Sequence, residues 1–181
     1  MVVRAARRPY LWTAHGFGPM GFFYNEDVFR QAGVDATKIK TWDDYYEAAE
    51  KLKEIGAYIA ADSGDGSFYD AMVWLAGGQP FHTSADGKTV TIDLDEDAGT
   101  QRFTEFWQKM IDEGLVDTTS ATWSDRWKSR VGTGTIASVF SGAWMPSLLL
   151  SNVPGAAGLW RVAPMPTYDG QPTKPKAAGR H

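Results

Sequence analysis

"TWDDYYEAAEKLKEIGAYIAA", residues 41–61, runs from a helix straight into a strand. Trp42, Tyr45, Ala49 and Leu52 recur at helical spacing and line one face, with charged residues on the other. Thr41 stands at the capping position with Asp44 three residues on, an approximation to a capping box whose usual partner is Glu or Gln. Gly56 ends the helix, and "AYIAA" (57–61) reads as a buried strand. A helix leading straight into a buried strand is one unit of the alternation that, continued along the chain, argues for an α/β domain.

The pattern repeats outward. Upstream, "GFFYN" (21–25) reads as a strand and "EDVFRQAG" as a short helix stopped at Gly33. Downstream, "SFYDAMVWLAGG" (67–78) reads as a helix and "TVTID" (89–93) as a half-exposed strand. A long amphipathic helix is expected between Asp95 and Gly114, with Phe103, Phe106, Trp107 and Met110 inward, and another in "SDRWKSRVG". "TIASVF" and "WRVAPMP" read as strands on either side of a short helix that begins near Trp144. The expected fold class is therefore α/β, a mixed sheet flanked by helices.

The chain has 181 residues, 43% hydrophobic and 22% charged, with a formal net charge of -4, which suits a globular domain and offers no basic surface for nucleic acid. It has no cysteine, which removes disulfide and thiol chemistry. Aromatic residues are many: eight Trp, seven Tyr and nine Phe, enough for a stacking surface or for a large aromatic core. "MVVRAARRPYLW" carries arginines with no apolar run behind them and does not read as an export signal, so the chain as written would stay in the cytoplasm.

Four segments in order, "GPMGFFYNEDVFRQAGVD", "KTWDDYYEAAEKLKEIG", "SGAWMP" and "WRVAPMPTYDGQPTKP", carry a resemblance to the extracytoplasmic solute-binding proteins of sugar ABC transporters, the maltose-binding-protein-like group. The resemblance covers residues 16–175 and implies the second lobe of a two-lobed binding protein, with a first lobe and closing helices beyond it. Residues 1–15 and 176–181 depart from the family pattern, as a shortened or broken reading frame or a dissected piece would. The implied function is oligosaccharide binding without catalysis, weak in one lobe alone, with transfer to a permease through the full-length parent. Family members work outside the cytoplasmic membrane.

Sugars offer apolar C–H faces rimmed by hydroxyls, so a site needs an aromatic platform and a few placed polar groups. Trp144, expected where a strand ends, is the leading candidate, and the resemblance assigns it the stacking role. Trp123, Phe68 and Tyr69 are further aromatic candidates. Asp65 is a candidate acceptor for sugar hydroxyls, although helix capping is its commoner use. Met20 and Phe17 are expected to border the cleft. Trp42, Trp74 and Trp107 are expected in the core.

Rival functions are weaker. A glycan hydrolase needs two carboxylates across the scissile bond; Asp62, Asp65, Asp70 and Asp125 are available, but no motif singles out a pair. A folded, non-functional gene remnant is a third reading. "DLDEDAG" (93–99) has Ala98 and Thr104 where a calcium loop needs Gly and Glu, "GTGT" (132–135) lacks the P-loop lysine, and the three histidines lie far apart. No cofactor or metal is expected. A homodimer through an exposed lobe surface is.

Overall fold

The computed structural model describes residues 20–66, 68–153 and 155–170. Phe17 and the terminal segments 1–15 and 176–181 lie outside the described residues.

The centre is a three-stranded antiparallel sheet, ordered β6 (Ser138–Ser141), β1 (Gly21–Asn25), β7 (Trp160–Ala163). Phe22 faces Phe140 on one side and Ala163 on the other. Beside it, β2 (Ala60–Ala61) pairs in parallel with β5 (Val116–Asp117). A parallel bridge between Tyr58 and Ile136 ties this pair to the approach of β6. The sheet system is therefore mixed, and β2 and β6 point their carboxyl ends the same way.

"AYIAA" forms only a two-residue strand, plus the Tyr58 bridge. β5 had no run long enough to be seen in the sequence; its two residues follow Gly114 immediately and are held by partners far away in the chain. "TVTID" forms β4 (Val90–Ile92), but it pairs with β3 (Phe81–Thr83) in a hairpin whose strands are exposed on both faces.

The helices start where local chemistry dictates. Asn25 caps α1 (Glu26–Gln31) by accepting from the Val28 N–H. Thr41 caps α2 (Trp42–Glu54), and its bond from the Asp44 N–H is matched by the Asp44 carboxylate accepting from the Thr41 N–H at 2.8 Å, a closed capping box built with aspartate. Asp97 caps α4 (Ala98–Asp112), which explains the acidic run before it. Ser124 caps α5 (Asp125–Thr133), and Gly134, at φ 79°, ends it in the left-handed conformation. Between α3 (Tyr69–Leu75) and α4 the backbones meet: a Cβ on Gly99 would lie 2.1 Å from the Gly78 nitrogen.

Most of the aromatic excess is core. Phe22, Tyr24, Phe29, Trp42, Tyr45, Phe103 and Trp107 are all buried and packed in one cluster. A second cluster joins Phe23, Trp127, Val131 and Ile136 to Met145 and Leu149 of α6 (Met145–Asn152). Trp74 corrects the expectation of core packing, being 49% exposed. Its neighbours Met72 and Val73 take the inward face of α3, and one further step of about 100° turns Trp74 out.

Candidate functional site

A cavity of about 490 Å³ opens at the carboxyl ends of β2 and β6, where ligands of open α/β sheets collect. All four residues of β6 line it, and Ala60 and Ala61 line it from β2. Phe68 and Ala71 come from the start of α3, Thr122, Trp123 and Trp127 from the entry of α5, and Trp144 and Leu148 from α6. Gly142, Met145, Met20 and Asp65 complete the lining.

Five of the sequence candidates thus meet at one place: Trp144, Trp123, Phe68, Asp65 and Met20. Tyr69 does not. One position beyond Phe68, it is turned against Phe103, with ring centroids 5.5 Å apart, and its hydroxyl pairs with Thr104 Oγ1 at 2.7 Å.

Trp144 is 50% exposed. The reason lies in its neighbours: Met145 and Leu149, four apart on one face of α6, are buried in the second core cluster. Anchored through them, the helix leaves the preceding residue at the lip. Pro146 fits this first turn, where a backbone N–H is not needed.

Trp123 has φ 66° and is the one non-glycine residue at positive φ among the described residues. It takes the third place of a turn closed by the Ser124 N–H donating to the Ala121 carbonyl at 3.0 Å, a place that glycine or asparagine favours. An L-residue held there costs about 1–2 kcal/mol. Its ring packs on Trp127 at 4.8 Å between centroids. Strain of this kind gathers at functional sites.

Phe140 serves two purposes. It lines the cavity and also touches Tyr45, Trp42, Phe68 and Trp107 within the aromatic core, with centroid separations of 5.2 to 6.5 Å. It was missed in the sequence because "TIASVF" reads only as a buried strand. Ser141 and Thr122, which add hydroxyls to the wall, were missed because single Ser and Thr residues carry no pattern.

The loop after β2 is pinned by Asp62, which accepts from the Trp107 indole N–H at 2.8 Å and from the Gly64 N–H at 2.8 Å. Asp117, at the end of β5, holds α5 through an ion pair with Arg130 at 2.6 Å. Burial alone would raise its pKa. The Ser120 and Thr119 hydroxyls, the Thr119 N–H and the Arg130 guanidinium outweigh it and bring the carboxyl down to about 2. Among the described residues no cluster of three or more His, Cys, Asp or Glu could hold a metal ion, and no helix is long and apolar enough to cross a membrane.

Comparison with known proteins finds relatives of the chain. The family model described as bacterial extracellular solute-binding protein matches residues 4–180. An arabinooligosaccharide-binding protein of Bacillus subtilis (strain 168) is 23% identical over 154 residues, a match covering 83% of this chain and 34% of that protein. The chain thus spans about a third of the length of the curated relatives it matches. Among solved structures, the ABC transporter associated binding protein from B. animalis subsp. lactis Bl-04, in complex with β-1,6-galactobiose, is 56% identical with a TM-score of 0.82. That match covers 85% of this chain and 38% of the other. The galacto-N-biose-/lacto-N-biose I-binding protein of Bifidobacterium longum shares the fold at 21% identity, with a TM-score of 0.68 over 82% of this chain and 36% of that one.

Proposed function

Because the chain belongs to the bacterial extracellular solute-binding proteins, we propose that its cavity is one wall of a carbohydrate site. The wall has no chemistry of its own and serves a protein that delivers its ligand to an ABC permease. Identity of 56% to a relative solved with β-1,6-galactobiose supports a short, β-linked, galactose-containing oligosaccharide as the ligand class. The two-lobed arrangement inferred from the resemblance assigns the opposite wall to another lobe.

The observation that carries this reading is a pair of tryptophans on an apolar cavity. Trp144 is half exposed at its lip, and Trp123 is held there by a strained backbone. Flat rings suit the C–H faces of a sugar, and Asp65, Ser141 and Thr122 add polar groups for its hydroxyls. Phe68 and Met20 extend the apolar wall. Tyr69, committed to Phe103 and Thr104, has no part in the proposal.

A glycosidase needs two carboxylates flanking one bond. Of Asp62, Asp65, Asp70 and Asp125, only Asp65 lines the cavity, and Asp62 is taken up by the Trp107 indole. No release of reducing sugar from chromogenic galactosides is expected.

Titration with β-1,6-galactobiose, followed by tryptophan fluorescence and calorimetry, tests the proposal. Saturable binding should appear in the native chain and vanish in Trp144→Ala. That variant should melt within about 2 °C of the native chain, because changes at exposed positions cost little. Equal binding by the native chain and Trp144→Ala would overturn the reading.

A further inference from the structure

Two cavity residues depart from local backbone preference in opposite directions. Trp123 is a bulky side chain where the turn suits glycine. Gly142 is a glycine where the backbone needs none, since its φ lies outside the left-handed region that holds eleven other described glycines. What keeps a side chain out of position 142 is space.

A Cβ on Gly142 would lie 2.2, 2.3 and 2.6 Å from Cζ3, Cη2 and Cε3 of Trp144. Carbon atoms in contact sit about 3.5–4.0 Å apart, so even a methyl group would overlap the ring by more than an ångström. The six-membered ring of Trp144 therefore rests directly on the Gly142 backbone. The turn itself is fixed, so the ring is the partner that an added Cβ would displace. The Met145 N–H donates to the Gly142 carbonyl at 3.1 Å, and Met145 and Leu149 fix α6 in the core. With no side chain at 142, the ring can lie against the main chain with its other side exposed, a placement that a Cβ there would deny it.

We infer that Gly142 is a positioning residue for ligand recognition: its missing side chain seats the Trp144 ring against the β6–α6 turn and aims it at the cavity. The ligand half of this inference rests on the proposed carbohydrate site; the seating of the ring does not.

The test combines Gly142→Ala, Trp144→Ala and the double variant with 5-fluorotryptophan labelling and β-1,6-galactobiose as the probe. The fluorine resonance of Trp144, assigned by its loss in Trp144→Phe, should move furthest of the eight in Gly142→Ala. Affinity for the probe should fall about tenfold in Gly142→Ala. In a Trp144→Ala background, where binding is already lost, Gly142→Ala should leave the melting temperature unchanged. Should Gly142→Ala fail to fold, the double variant should recover the stability of Trp144→Ala, because the ring it collides with is gone. An unmoved Trp144 resonance, or a double variant less stable than Trp144→Ala, overturns the inference. A moved resonance in a native chain that does not bind the probe leaves the seating intact and overturns the proposed function.

Discussion

Trp123 concentrates the conflict between stability and recognition in one residue. Its backbone, at φ 66°, is one that glycine adopts freely and that a Cβ opposes by about 1–2 kcal/mol. Removing the whole side chain confounds this strain with the loss of the contact to Trp127, so two variants are needed. Trp123→Ala and Trp123→Gly both lose the ring, and only the first keeps the Cβ. Trp123→Gly should therefore melt about 3 °C above Trp123→Ala, with both losing sugar affinity. An alanine variant as stable as the glycine variant would show that the turn stores no strain. Position 123 was readable as an aromatic before a helix start, whereas its backbone was not. Nothing in "SATWSDRW" announces a positive φ, because the usual signal for one is the glycine that this turn replaces.

Elements with their own local signals were readable, and those made by distant partners were not. α2 carries its cap, its apolar face and its stop within sixteen consecutive residues, and it forms as read. β5 is two residues long and exists because β2 lies beside it, so no local pattern could reveal it. The same strand carries Asp117, whose ion pair with Arg130 fastens α5, and with it Trp127, to the sheet. In the folded chain Asp117 has a pKa of about 2 against an ordinary 3.8, so the unfolded chain binds its proton more tightly. The resulting stabilisation is fully present above about pH 4 and is lost as the pH falls through 2. At 1.36 kcal/mol per unit, and with the side chain only 1% exposed, it is worth about 2 kcal/mol. Asp117→Asn should melt below the native chain at pH 7, and the gap should narrow between pH 4 and pH 2. A gap that stayed constant over that window would assign the native pair no ionisation-linked stability.

On the whole molecule, the proposed carbohydrate site is one wall of a shared site. Small-molecule sites bury about 70–90% of their ligand, and in the proposed arrangement the wall of β6, α3, α5 and α6 residues shares that burial with a second wall. The solved relative with β-1,6-galactobiose is a chain of which this one matches 38%. Suppose a closed two-sided site binds at about 1 μM, or roughly -8.2 kcal/mol, and each side supplies half. The chain alone would then hold the sugar at about -4.1 kcal/mol, a Kd near 1 mM. The 181-residue chain should accordingly bind β-1,6-galactobiose in the millimolar range, measured by titration of its 5-fluorotryptophan resonances. Trp144 and Trp123 should move together along one binding curve, since both line the same cavity. A micromolar Kd for this chain would overturn the shared-wall premise and place nearly all recognition in these residues. In that case the Trp144 ring against Gly142 and the strained turn at Trp123 would form a pre-organised site in their own right, one whose affinity comes from low ordering cost rather than from enclosure.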